Sequence, residues 1–193
     1  YSLRNPLDFA VFTLSPLMPN LRNFFARILA ALRRRRLLLA VLSGSLLSLA
    51  FPGHPHYLLS WLYNPLWSHF ALVPLLLTLE GRGFKSGFAT GWTCGFVWNL
   101  LCLYWVADTQ GGGPAVVGGT LLMATYLGLF PGLCTGLLGA LRARWGTKIL
   151  ALIPVLWTAQ EYLLSLGELG FPWLLLGHSQ AAMPHFVQHA IWT

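Results

Sequence analysis

Between the long apolar runs of this chain, lysine and arginine fall only on alternate connectors. Arg33 to Arg36 precede the first run, Arg82 and Lys85 separate the second from the third, and Arg142, Arg144 and Lys148 separate the fourth from the fifth. The intervening connectors, GHPHY, ADTQGGG and GELGFPWLLLGHSQ, carry neither lysine nor arginine. If the runs cross a bilayer alternately, every basic connector lies on one side, and basic residues beside spans stay cytoplasmic. The pattern predicts an all-α, polytopic membrane helical bundle with spans at about 37–51, 58–79, 86–106, 114–141 and 149–166, and a sixth starting near Phe186. The N-terminus is then cytoplasmic and residues 167–185 lie outside. The first span is short for a hydrocarbon core of about 30 Å, and snorkelling arginine stems make up part of the difference.

The chain is 56% hydrophobic and 9% charged. Soluble domains carry roughly a quarter charged residues, so lipid is the expected solvent. In a soluble protein the net charge of +7 would suggest a nucleic-acid partner. The base-reading and phosphate-tracking patterns that such a partner needs are missing here, and we expect none. Cys94, Cys102 and Cys134 sit inside apolar runs with no C-x-x-C, which reads as packing rather than a disulfide or zinc framework. His185 and His189 are four apart, a spacing that can hold a metal on a helix, yet no acidic or cysteine partner is near. His54, His56, His69 and His178 show no facing pair for haem. There is no G-x-S-x-G elbow. No metal or cofactor is expected.

Residues 1–32 read as an N-terminal extension. Leu21, Phe24, Phe25, Ile28, Leu29 and Leu32 recur at helical spacing with Arg22 and Arg27 off the stripe, predicting a basic amphipathic helix in the membrane interface. Ser48-x-Ala50 loosely resembles a signal-peptide cleavage site, but the charged region lies too deep in the chain for one. Gly83, Gly87, Gly91 and Gly95 are spaced by four, as are Gly128, Gly132 and Gly136. Small residues in that register predict a close helix–helix face. Pro131 is expected to kink the fourth span. The chain begins at Tyr1 rather than methionine and stops soon after a new segment starts, so a piece of a longer protein is expected.

Glu161 lies within the fifth span, where an ionisable group is costly and often functional. The plainer alternative is a carboxyl held by a neighbour such as Gln160 or Tyr162. Residues 167–180 raise a similar choice between the ragged end of a helix and a surface built to hold something.

Three stretches are similar to one family. SLAFPG closes the first span, GFATGWTCGFVWNLLCLYWVADTQGGG forms the third span and its outer loop, and PVLWTAQEYLLSLGELGFPWLLLGHSQ forms the fifth span and the loop after it. Over about 33–193 the chain resembles the N-terminal membrane region of bacterial apolipoprotein N-acyltransferase. The resemblance implies an inner-membrane enzyme that moves a fatty acyl group from a phospholipid donor to the N-terminal cysteine amine of a diacylated apolipoprotein. It implies a thioester on a cysteine, served by a glutamate and a lysine, in a nitrilase-like domain absent from this chain. The three cysteines here match no part of that motif, so no catalytic residue is assigned. Trp105, Phe171, Pro172, Trp173 and Gln180 are expected to shape lipid access, with Glu161 bracing the bundle and Pro172 stopping the helix. Trp105 and Trp173 could equally be interface anchors. A different class, a small inner-membrane transporter or channel subunit, would also account for the glycine faces and Glu161, but the inverted repeat it predicts is not evident.

Overall fold

The computed structural model describes residues 35–51, 62–79, 83–109, 113–181 and 183. The expected amphipathic helix in 1–32, the GHPHY connector and the sixth segment with His185 and His189 lie outside the described residues. Every regular element among the described residues is helical. In order they are α1 (Arg36–Leu49), α2 (Trp67–Phe70), α3 (Leu72–Leu77), α4 (Phe84–Ala107), α5 (Gly113–Trp145), a 3-10 helix (Gly146–Leu152), α6 (Ile153–Leu164) and two 3-10 turns, Pro172–Leu174 and Leu176–Gln180. One helical run, Gly113–Leu164, is long and apolar enough to cross a membrane by length and composition. Arg36–Leu49 and Trp67–Leu77 are apolar but shorter.

Prolines correct two of the expected spans. The stretch expected as one helix over 58–79 is, in its described part, two short helices interrupted at Ala71. Pro74 has no N–H to return to the Phe70 carbonyl, so the α-helical ladder breaks there. The span expected over 149–166 is α-helical only from Ile153, after a 3-10 stretch. Pro154 occupies the first turn of α6, a position where its missing N–H costs nothing. Pro131 lies inside α5 without ending it.

The centre of the molecule is the antiparallel contact of α4 with α5. Its register follows from what a methyl group would meet at each glycine. At Gly87 it would run into the Thr135 carbonyl, and at Gly91 into the Thr135 hydroxyl. At Gly95 it would lie 3.0 Å from Gly128 Cα, and from the other side a methyl at Gly128 would lie 3.1 Å from the Trp92 carbonyl oxygen. Backbones therefore touch directly, as the glycine spacing predicts. Gly83 is not part of this face, since a methyl there meets nothing within 4 Å. Thr135 Oγ1 uses the proximity, lying 2.8 Å from Gly87 O across the interface and 2.7 Å from Pro131 O in its own helix. The Trp92 indole donates to Thr125 O at 3.2 Å.

α1 runs parallel to α4. Gly44 backs onto the Cys94 carbonyl, and Arg36 Nη1 donates to Ser86 Oγ at the start of both helices. α2 and α3 return antiparallel to α1, held by Ser43 Oγ donating to Ala71 O and by Asn64 N donating to Leu49 O at 3.2 Å. At the far end of α3, Arg142 Nη1 from α5 donates at 3.3 Å to Leu76 O, a carbonyl that also accepts the Leu79 N–H at 3.2 Å. The starts of α1 and α4 and the ends of α3 and α5 thus share one end of the bundle, and Arg35, Arg36, Lys85, Arg142 and Arg144 gather there.

Beside an apolar core of residues such as Leu47, Leu75, Leu79 and Leu138, several polar side chains are buried and many large apolar ones are exposed. Ser43, Thr90, Asn99, Thr120, Thr135 and Gln160 are buried. Leu122, Leu133, Val155 and Leu163 are exposed by 54% or more. An exposed apolar surface of this kind suits a protein partner or a membrane, and small or polar residues inside are how helices associate where no hydrophobic push acts between them. Cys94 and Cys134 are buried among these helices, and all three cysteines are free.

Overpacking a tight interface costs about 1–3 kcal/mol. Gly91→Leu is expected to lower the thermal unfolding midpoint of the detergent-solubilised protein by the equivalent of about 3 kcal/mol. Gly83→Ala, where space is open, is expected to stay within about 0.5 kcal/mol of the parent. Equal effects would mean that the glycine face does not set the helix separation.

Candidate functional site

α6 carries Trp157, Gln160 and Glu161 on its inner side. Trp157 is buried and stacks on Trp98 of α4 with centroids 6.4 Å apart. Trp98 in turn lies 5.7 Å from Phe51 at the end of α1. One turn along, Glu161 Oε1 accepts the Trp157 indole N–H at 2.9 Å and the backbone N–H of Leu176 at 2.7 Å. The partners are therefore not the sequence neighbours, Gln160 or Tyr162, that a plain reading offered. Tyr162 is 64% exposed on the outer face. Hydrogen bonds to a carboxylate are the stronger kind, and this one ties a loop to the helix across fifteen residues of chain.

Between these two points the chain turns back on itself. α6 ends at Leu164, eight residues before Pro172, so the proline does not stop it. Gly167 does, at φ +76°, a conformation open to glycine at little cost. The Phe171 N–H then bonds Leu164 O at 2.8 Å and the Gly170 N–H bonds Gly167 O at 3.1 Å. A methyl at Gly170 would press on the carbonyls of Ser165, Leu166 and Gly167. Pro172 instead opens the first 3-10 turn, where a fixed φ suits it.

Gln180 closes the loop against α2. Its Nε2 lies 2.7 Å from Ser68 Oγ, 3.0 Å from Pro65 O and 2.9 Å from Ser179 Oγ. Pro65 O only accepts, which requires the amide nitrogen to face it. Ser68 Oγ donates to the same carbonyl at 2.7 Å. Gln180 Oε1 is left buried without a protein partner. Asn64, next to Pro65, donates to Leu49 O at the end of α1, so the loop sits at the opposite end of the bundle from the arginines.

These contacts frame a cleft of about 460 Å³ between α2–α3 and α6. Ser68, His69, Glu161 and Gln180 give it a polar mouth, while Leu72 and Ile153 continue it as an apolar slot. Phe171 faces elsewhere, into a groove of about 390 Å³ with Leu122, Tyr126 and Leu169 between α5 and the loop. The Tyr126 hydroxyl lies 3.5 Å from Leu169 O there. Trp173 packs on Phe171 with centroids 5.4 Å apart and remains 60% exposed. Trp105, at the end of α4, is also exposed and lines neither cavity. The structure thus brings Glu161 and Gln180 to one cleft, pairs Phe171 with Trp173 beside another, places Pro172 at the turn between them and leaves Trp105 apart. Sequence reasoning missed Ser68, which is joined to Gln180 only in space. It also missed Trp157 as the partner of Glu161, although their spacing of four was visible.

The family model of the apolipoprotein N-acyltransferase N-terminal domain matches residues 43–193. The chain belongs to the apolipoprotein N-acyltransferase family. The apolipoprotein N-acyltransferase of Geobacter metallireducens is 34% identical over 155 residues, covering 78% of this chain and 28% of that protein. That of Chromobacterium violaceum is 36% identical over 146 residues, 75% of this chain and 27% of the relative. That of Shewanella oneidensis is 33% identical over 177 residues, 87% of this chain and 32% of the relative. The chain spans about three-tenths of the length of the curated relatives it matches. Glu161, the loop it ties down and Gln180 all fall inside the part matched to the N-acyltransferase N-terminal domain.

Removing an acceptor from a buried donor costs about 1–3 kcal/mol. Glu161→Ala is expected to raise amide hydrogen exchange at Leu176 and protease cutting within residues 165–181. Glu161→Gln keeps an oxygen acceptor and is expected to retain most of the protection. Unchanged exchange in Glu161→Ala would show that the carboxylate does not hold the loop.

Proposed function

We propose that this chain is the bilayer-embedded N-terminal region of an inner-membrane N-acyltransferase, and that the cleft beside Glu161 and Gln180 admits a lipid laterally. The activity read for the whole protein is transfer of a fatty acyl group from a phospholipid to the N-terminal cysteine amine of a diacylated apolipoprotein. No catalytic residue is assigned within the chain, whose role is to anchor the catalytic part and shape lipid access. The helices cross the membrane in alternation with the N-terminus cytoplasmic. That orientation is supported by the gathering of arginines at one end of the bundle and by the apolar outer surface.

The single observation that carries the lipid-access reading is the cleft's polarity. A phospholipid or a diacylated peptide has a polar head and long apolar chains. The cleft presents hydroxyl, imidazole, amide and carboxylate groups at the end away from the arginines and an apolar slot beyond them. The 3-10 turns lay Phe171 and Trp173 along the same level, where amphipathic aromatic rings suit the headgroup region. Glu161 acts by position: through Leu176 it keeps Gln180 against Ser68 and so holds the mouth in shape.

In the full-length enzyme, Thr158→Trp would fill the cleft from α6 and is expected to lower acyl transfer from phospholipid to a lipopeptide by about tenfold, or about 1.4 kcal/mol in the barrier, at unchanged protein level. Val155→Trp, on the exposed side of the same helix, is expected to leave the rate near that of the parent. Trp173→Ala is expected to reduce transfer more than it reduces protein level. If Thr158→Trp proves as active as Val155→Trp, the cleft is not on the lipid's path. A cysteine at position 173 is expected to react with impermeant reagent from outside the cell only.

A further inference from the structure

The lipid cleft makes no use of the arginines at the other end of the bundle. Arg35 is exposed and Arg36 half-buried. Arg36 reaches from α1 to α4 to donate to Ser86 Oγ, and among the described residues neither guanidinium meets a carboxylate. Between the two helices lies a groove of about 430 Å³ walled by Arg35, Arg36, Leu37, Leu38, Ser86 and Ala89. Lys85 is exposed beside it. Leu37 and Leu38, immediately below the arginines along α1, are 58% and 55% exposed. Concentrated positive charge thus sits directly above bare apolar surface.

We propose that this groove binds the phosphate headgroup of an anionic phospholipid, with its acyl chains lying on Leu37 and Leu38. The inference rests on the reading of the bundle as membrane-spanning. Guanidinium groups present paired N–H donors that match phosphate oxygens, and Arg36 is already oriented by Ser86. A free phosphate ion would satisfy the charge but leave the two leucines uncovered, whereas a lipid meets both needs. The lipid belongs to the leaflet at the basic end, where anionic headgroups attract basic clusters. It is distinct from the lipid in the cleft, because the groove is walled by α1 and α4, the cleft by α2, α3, α6 and the loop after it, and the two share no residue.

The test titrates the full-length protein in detergent with phosphatidylglycerol or phosphatidylcholine and counts bound lipid by native mass spectrometry. Phosphatidylglycerol is expected to bind in preference, and excess inorganic phosphate is expected not to displace it. Arg35→Gln combined with Arg36→Gln should weaken phosphatidylglycerol binding by tenfold or more, at roughly fivefold per basic residue. Ser86→Phe, which fills the groove and keeps every basic residue, should weaken it as well. Arg144→Gln combined with Lys148→Gln removes the same charge outside the groove and should leave binding unchanged. Equal losses in both double variants, no loss in Ser86→Phe, no preference for phosphatidylglycerol, or displacement by phosphate would each overturn the proposal. Carbonate extraction and outward labelling of position 173 report separately on membrane insertion. If insertion holds and the preference is absent, only the headgroup site falls; if insertion fails in the parent protein, both readings fall.

Discussion

Contact between the backbones of α4 and α5 sets the geometry of everything around it. With Gly87, Gly91 and Gly95 packed on the 128–136 stretch of α5, the two helices approach until the carbonyls and the Thr135 hydroxyl are in reach of the opposite helix. No gain from removing apolar surface from water is needed to hold them. Dispersion over a close-fitting face and a few cross-helix hydrogen bonds suffice where the surroundings are apolar. α1 then lies on α4 through Gly44 by the same means. α6 is placed by stacking Trp157 on Trp98, a residue whose position the α4–α5 contact determines.

The functional end of the bundle depends on that placement at one remove. Trp157 is fixed by its neighbour on α4 and in turn donates to Glu161. Glu161 holds Leu176, and the short turn from Leu176 carries Gln180 to Ser68. A single carboxylate thus couples the core to a loop whose Leu174 and Leu176 also pack against it. An ionisable group inside an apolar bundle is tolerated here because donors surround the oxygen that faces inward. The two ends of the molecule differ in kind: one gathers arginines around a groove, and the other gathers polar groups and a carboxylate around a cleft, with an aromatic pair beside it.

Much of this was legible from residues alone. The apolar runs and the basic connectors marked α1, α4 and α5 to within a few residues, because hydrophobic length and charge are local properties. The glycine spacing marked a close-packing face on α4 and another on α5, since a period of four stays on one side of a helix, but not that the two faces meet. Glu161 stood out because it is a lone acid in an apolar run. Less legible were the breaks. Pro74 interrupts the ladder inside an apolar window, and Pro154 opens α6 several residues after that window begins. Pro172 looked like a stop, while Gly167 is what turns the chain. A left-handed glycine leaves no mark in hydropathy, and a proline says only which bond is missing.

The sequence by itself marked the helical runs among the described residues, the basic connectors between them and the helix faces on which glycine recurs. These follow from the order of residue types along the chain and from the regular period of a helix. Only the tertiary structure decided which partners Glu161 and Gln180 take, that Phe171 and Gln180 face different cavities, and that Trp105 stands apart from both. Those outcomes rest on contacts between residues as far apart in the chain as Ser68 and Gln180, and no local pattern encodes a distance that exists only after the helices have packed.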